Sequence, residues 1–292
     1  MLSTHVFRFS KRISYATEPV LGRARRLLSG SDCRELMEKA PKLGEAVDQA
    51  LRSHRSAEER ALFRQIEGIR ERALRSDEVI EQLDFGAGKP DETLSVEAMA
   101  GGRKQTRRVA SMVQASKSPF WAGFLFRIVR NLGMQNGIEL GTCLGLSAAY
   151  QAGAMKLNGK GKLYTFEGAP ALADISARHL NELGLDSHVS IVRGRFSDTL
   201  PGHLQRLAPF DYVFIDGHHD EHATVDYFEQ IHPYLAPQAI VVFDDIAWSP
   251  GMARAWQRLK ADPRLPVAVD LGRIGITQVG VPNPVKVSLR VR

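Results

Sequence analysis

Ile138-Glu-Leu-Gly-Thr-Cys-Leu-Gly-Leu-Ser-Ala-Ala149 is the stretch whose reading decides the fold. An apolar strand runs into Glu139, turns through Gly141 and Gly145, and opens a helix at about Ser147. Glycines at such points let the backbone take positive φ and come close to a ligand. The helix start beyond them offers unpaired N–H groups and a positive dipole end, a seat for a nucleotide-like ligand. Alone, this turn is a weak pattern. The strand ends that follow give it weight.

From Gly137 onward the rhythm is strand, turn, helix, with strands predicted at 137–140, 162–167, 188–193, 210–216 and 239–244. Between them Leu172, Ile175, His179 and Leu183 share one helical face, and Val225, Phe228, Ile231 and Leu235 share another. Strands alternating with helices argue for a parallel sheet covered on both faces, an α/β fold. In such sheets ligands bind outside the carboxyl ends of the strands. Val267–Leu271 and Ile274–Gln278, joined by a short Gly-Arg link, read as an antiparallel hairpin.

The strand ends are polar and mostly acidic: Glu139-Leu-Gly141, Glu167, Gly194-Arg195-Phe196-Ser197, Asp216-Gly-His-His219 and Asp244-Asp245. A carboxylate at the second strand's end, about 20–30 residues after the glycine turn, suits a ribose diol. The plainer alternative makes Glu167 a helix-capping acid before Ala169-Pro170. Asp216, Asp244 and Asp245, gathered from neighbouring strand ends, would repel in a partly dry cleft. A hard divalent cation, Mg²⁺ or Mn²⁺ with Ca²⁺ as a further choice, would relieve that. The alternative has the Asp pair capping the next helix while Asp216 bonds backbone groups. His219 reads as a general base for an acceptor hydroxyl. His218 and His222 read as exposed turn histidines, and His188 and His232 as structural. No cysteine or H-x₃-H partner completes a zinc site. Cys143 reads as a small filler.

Upstream, residues 1–95 read as helical, with Ser56 and Glu59 forming a capping box before Leu62, Ile66, Ile69 and Ala73. Ser76 is expected to start a second helical piece holding Val79, Ile80 and Leu83. Residues 96–117 read as linker, and Ser118-Pro119 starts an amphipathic helix that Gly133 stops. The sequence therefore divides into a helical region 1–95, a linker 96–117 and a ligand-binding domain 118–292. Phe120 and Phe124 are expected in the core.

The chain has 292 residues, 43% of them hydrophobic and 25% charged, ample for a globular core. No apolar run reaches the roughly 18 residues a membrane span needs. Two cysteines make no disulfide framework, which points to a reducing compartment and a cytoplasmic protein. The net charge of +6 is concentrated in residues 1–30, where six basic residues face Glu18 alone. That arm reads as a solvated basic helix, with a mitochondrial transit peptide as the alternative. The rest of the chain is near neutral and carries no strong nucleic-acid signal.

Glu-Leu-Gly-x-x-x-Gly-x-Ser at 139–147, Glu167, Asp216 and Phe243-Asp-Asp245 together resemble class I S-adenosylmethionine-dependent O-methyltransferases. The pattern is similar to catechol O-methyltransferase, and closer to the bacterial branch with macrolide-sugar and rhamnosyl O-methyltransferases. It covers about residues 118–280 and leaves the first hundred largely unmatched. The resemblance implies a Rossmann-like, seven-stranded sheet with helices on both faces and the hairpin as its last two strands. Glu139, Gly141, Thr142, Gly145 and Ser147 would hold the methionine part of the cofactor. Glu167 and Gly168 would hold the ribose, and Arg195 and Phe196 would flank the adenine. Asp216 would serve cofactor and catalysis, and with Asp244 and Asp245 would bind Mg²⁺ or Mn²⁺. His219 falls where the macrolide-sugar enzymes carry their base. Catechol enzymes use an Asp-Asn pair and a Lys base; this chain has Asp-Asp and no Lys at the corresponding turn, which argues against catechol as substrate.

The implied activity is metal-assisted O-methylation of a small-molecule hydroxyl, with a homodimer through the amino-terminal helices as one arrangement. An N-directed enzyme and a non-catalytic S-adenosylmethionine-binding module are the alternatives. Base N-methyltransferases carry Asn/Asp-Pro-Pro-Tyr where this chain has Asp-Gly-His-His.

Overall fold

A computed structural model describes residues 30–52, 55–88, 94, 99 and 101–289. The basic arm, residues 1–29, lies outside the described residues. The described residues open with three helices, α1 (Ser31–Lys39), α2 (Pro41–Arg52) and α3 (Ala57–Leu74). The capping box predicted at Ser56 is present: Ser56 Oγ accepts from Glu59 N at 3.2 Å, and Glu59 Oε2 accepts from Ser56 N at 2.7 Å. Each bond satisfies a helix-end N–H that has no intrahelical partner.

Strand β1 (Val79–Asp84) then pairs antiparallel with β2 (Arg103–Arg108), and α4 (Val109–Ala115) follows. This corrects two expectations. Val79, Ile80 and Leu83 lie on a strand and not on a helix. The segment read as linker carries a strand and a helix. Arg103 and Gln105 donate to Asp84 across the pair, and Arg108 pairs with Asp77. Polar side-chain contacts therefore hold an arm with few apolar residues.

Helix α5 (Pro119–Leu132) is capped by Ser118 and stopped by Gly133 at φ 68°. It leads into the alternating part of the chain. In order come β3 (Asn136–Leu140), α6 (Leu146–Leu157), β4 (Lys162–Glu167), α7 (Pro170–Glu182) and β5 (Val189–Arg193). Then follow α8 (Phe196–Leu207), β6 (Phe210–Ile215), α9 (Glu221–Ile231) and β7 (Leu235–Phe243). The last elements are α10 (Pro250–Ala261), β8 (Val267–Asp270), β9 (Gly275–Gln278) and β10 (Val285–Ser288).

The sheet order is β10-β8-β9-β7-β6-β3-β4-β5. It is parallel from β5 to β7, and β9 runs antiparallel to both β7 and β8, as the hairpin reading required. It has eight strands where seven were expected, because Val285–Ser288 adds an edge strand parallel to β8. That segment is only four residues long with two exposed, too short to show a period in the sequence.

The sheet divides the core. One face buries Leu200 and Leu204 of α8, Val225 and Phe228 of α9, and Trp256 of α10. The other buries α5, α6 and α7 together with Leu36, Leu43, Leu51, Phe63 and Ile66 of the amino-terminal helices. Phe63 packs edge-on against Phe126 and Tyr150, with centroids 4.8 and 4.5 Å apart. The amino-terminal helices are thus an extra layer on one face, sharing its core. No helix among the described residues is long and apolar enough to cross a membrane.

Candidate active site

Strand order reverses direction around β3: the chain goes from β3 to β4 on one side and later fills β6 on the other. Crevices form at such points, outside the carboxyl ends of the strands. There the backbones run close. A Cβ on Gly141, at φ 107°, would stand 2.4 Å from the Asp216 carbonyl oxygen, so glycine is required. Gly141 N and Thr142 N each donate to Phe166 O at 3.1 Å, tying the turn to β4. Gly145, at φ 77°, begins α6 with no side-chain cap on its first N–H groups.

Beneath the turn Glu139 is fully buried. Its Oε1 accepts from Gln151 Nε2 at 2.7 Å and its Oε2 from Thr165 Oγ1 at 2.6 Å; Thr165 Oγ1 in turn lies 2.6 Å from Thr142 Oγ1. Burial pushes the Glu139 carboxyl up to about 7, against the bonds from Thr165, Ser147 and Gln151. Glu139, Thr142 and Ser147 thus form one buried polar cluster below the glycine turn. Gln151 Oε1 in that cluster is buried with no hydrogen-bond partner among the described residues. An uncapped helix start beside an unsatisfied buried acceptor fits a polar ligand with amino and carboxylate groups.

Glu167 stands at the end of β4, partly exposed. Its Oε2 accepts from Cys143 N and its Oε1 from Ala169 N, both at 2.8 Å. The plainer reading does not hold, because α7 begins after Ala169 with no side-chain cap on its first turn, and each carboxylate oxygen keeps a lone pair for a further donor. Burial pushes Glu167 up to about 7, against the backbone bonds from Ala169, Cys143 and Gly168. A Cβ on Gly168 would meet the Phe85 ring at 2.9 Å, so the loop after β1 lies over this strand end. Arg195 turns outward to Asp198, with Nε and Oδ2 2.8 Å apart, while Phe196 packs inward beside Phe166, Tyr227 and Gly217. Those two residues diverge.

Three further turn residues, Cys143, His219 and Asp245, adopt left-handed φ of 51°, 52° and 49° without being glycine, and His218 joins them at 64°. Such conformations cost energy and cluster at functional sites. His219 Nε2 lies 3.8 Å from Asp216 Oδ1, partly exposed, with the Trp248 ring 5.6 Å away. His218 is a correction: Tyr227 Oη lies 2.7 Å from its Nδ1, Ala87 N donates to its carbonyl at 2.8 Å, and burial lowers its pKa. It is not a solvated turn histidine.

Asp216 and Asp244 continue the ends of neighbouring strands: Asp216 N donates to Leu140 O and Asp244 N to Ile215 O, each at 3.0 Å. The cation among these acids is a side chain that sequence reasoning missed. Lys117, buried, forms an ion pair with Asp244 and places Nζ 3.3 Å from Asp216 Oδ2. Asp245 turns to Arg273, with Oδ1 and Nε 3.1 Å apart. Burial raises Asp216 despite Lys117 and His219. For Asp245 burial also acts upward, but the charges of Lys117, His219 and Arg273 outweigh it and hold the carboxyl low.

The three aspartates therefore come together, yet not as a ligand set facing an open centre. Among the described residues no group of three or more His, Cys, Asp or Glu side chains is arranged to hold a metal. The side chains present do not fit the expected Mg²⁺ or Mn²⁺. A signal for Lys117 did exist. It immediately precedes a Ser-capped helix, where the dipole disfavours a cation unless acids receive it.

Residues 138–246 match the family model described as a methyltransferase domain. A catechol O-methyltransferase of Niastella koreensis is 33% identical over 138 residues, 47% of this chain and 61% of that protein. The chain thus spans less than two thirds of that relative. A catechol O-methyltransferase of Mycobacterium tuberculosis is 27% identical over 164 residues, 56% of this chain and 69% of that one. The crystal structure of an SAH-bound methyltransferase from Podospora anserina superposes with a TM-score of 0.53 at 16% identity, covering 84% of this chain and 96% of its own. At that identity the likeness concerns the fold.

Proposed function

We propose, on the premise that residues 138–246 match a methyltransferase domain, that this protein binds S-adenosylmethionine and methylates a hydroxyl group of a small molecule. The observation that carries the reading is the meeting of the glycine turn, Glu167 and the Asp216–His219 pair at three neighbouring strand ends.

Bound there, S-adenosylmethionine supplies a methyl carbon on a positively charged sulfur, and the S–C bond breaks as the O–C bond forms. The chain's residues position and deprotonate. The first turn of α6 and the buried Glu139–Gln151 cluster receive the amino-acid end, and Glu167 accepts from the ribose hydroxyls. His219 Nε2 takes the proton of the acceptor hydroxyl, and the Asp216 carboxylate beside it steadies the imidazolium that results. Trp248, its ring tilted against that of His219, forms one wall for the acceptor. Positioning of this kind supplies a large share of the barrier reduction in a two-substrate displacement. No step is assigned to a metal.

Mass-spectrometric assay of methyl transfer from S-adenosylmethionine to a panel of phenols, sugars and amines tests the reading. A mass gain on hydroxyl acceptors is expected. His219→Ala should lower kcat by about 10²–10⁴-fold with cofactor affinity kept, the usual size of a lost general base. Transfer to amines alone would overturn hydroxyl chemistry. Cofactor binding with no transfer to any acceptor would favour a binding module.

A further inference from the structure

Asp216, Asp244 and Asp245 hold three negative charges at the ends of adjacent strands, and Asp244 is only 1% exposed. Neither Asp244 oxygen takes a hydrogen bond from the described residues; its compensating contact is the Lys117 ammonium. A buried carboxylate is tolerated only when paired. Lys117 lies between Asp244 and Asp216, and Arg273 closes the outer side against Asp245. Two fixed single charges thus stand among the acids, the total that one divalent ion would bring.

The lysine is held from behind. Arg70 of α3, itself buried, donates through Nη2 to the Lys117 carbonyl at 2.9 Å. Arg70 Nε pairs with Glu67 Oε2 at 2.8 Å, and Glu67 Oε1 accepts from Tyr150 Oη at 2.9 Å. Ser118, next in the chain, caps α5, and the Lys117 ammonium lies 5.8 Å from the centroid of the Phe214 ring. A flexible surface lysine would lose its charge contacts to water; here the main chain on either side is fixed by partners outside the acid cluster.

We propose that Lys117, together with Arg273, takes the place of a divalent metal ion in this site, so that cofactor binding and methyl transfer need no metal. This rests on the methyltransferase reading above. It assigns the amino-terminal layer a part in the site, because α3 supplies the residue that holds the lysine's main chain.

Electron paramagnetic resonance of Mn²⁺ titrated into the full chain, without cofactor and saturated with S-adenosylhomocysteine, tests it. The wild-type protein should leave the free Mn²⁺ signal undiminished, and EDTA should not change S-adenosylhomocysteine affinity by calorimetry. Lys117→Met keeps the length of the stem and removes the charge. It should bind Mn²⁺ at least an order of magnitude more tightly than wild type, because the three carboxylates then lack their central cation. Lys117→Arg should stay blind to Mn²⁺.

One Mn²⁺ bound per wild-type chain, or transfer lost in EDTA and restored by Mg²⁺, would overturn the proposal. So would a folded Lys117→Met protein that takes up no Mn²⁺. If that variant does not fold, the wild-type titration decides alone. Failure of the wild-type chain to bind S-adenosylhomocysteine would instead sink the methyltransferase reading, while the Mn²⁺ titration of the cofactor-free chain still decides the role of Lys117.

Discussion

Glu167 carries opposite consequences for binding and for stability. Its folded pKa of about 7 stands above the ordinary 4.5, because burial outweighs its backbone bonds. Only the ionised carboxylate can accept from both ribose hydroxyls. Affinity for S-adenosylhomocysteine should therefore rise with pH, by up to about tenfold per unit below 7, and level off above it. Calorimetry from pH 5.5 to 8 checks this, and Glu167→Gln should flatten the profile while lowering affinity at pH 8. For the empty protein the sign reverses. A carboxyl with a raised folded pKa holds its proton more tightly in the fold, so that contribution is complete below 4.5 and is lost as pH rises through 7. Glu139 adds to the same trend. The acids were legible in the sequence because alternation located the strand ends, and the ends locate the crevice. Lys117 carried only the faint signal of a cation placed just before a helix start, and the partner of His218 carried none: both depend on which turns face each other once the helices have packed.

The glycine turn is where an element depends on a single missing carbon. Gly141→Ala would set a methyl group 2.4 Å from a backbone oxygen of the neighbouring strand end, which cannot swing aside as a side chain would. Cofactor binding should be lost and the melting temperature lowered. Gly159→Ala is the control. That residue also has positive φ, at 72°, but nothing lies within 4 Å of its Cβ position. It should cost only the left-handed backbone penalty of roughly 1–2 kcal/mol and leave binding intact. Thermal shift with and without S-adenosylhomocysteine separates the two. Steric demand across strands is invisible in a sequence, although the spacing of the glycines was enough to place the turn. The β1–β2 arm was illegible for another reason. Arg103-Lys-Gln-Thr-Arg-Arg108 has no apolar alternation, so its strand character exists only through its partner and the ion pairs to Asp77 and Asp84.

Across the whole molecule the amino-terminal helices and the sheet share a core, and Phe63 is its joint, in contact with side chains of α5 and α6. Phe63→Ala should destabilise the protein by about 3–5 kcal/mol, the range for deleting a buried aromatic ring. Denaturant unfolding followed both by Trp fluorescence and by far-ultraviolet dichroism should still show one transition. Two separated transitions would mean that the helical layer unfolds independently. The capped run from Ser56 made the layer legible as helix. What it packs against was not, because an apolar stripe does not name its partner.

Asp32 of α1 accepts from Ser288 N of β10 at 3.1 Å, a contact spanning 256 positions along the chain. Translation runs from one end to the other at about 5–20 residues per second, so α1 emerges roughly 13–50 seconds before its strand exists. During that interval its apolar side, with Leu36, has no sheet edge to cover. On the ribosome the nascent helix is therefore a natural client for chaperones. A ribosome stalled short of codon 285 should present it to them indefinitely, a state that release of the finished chain resolves.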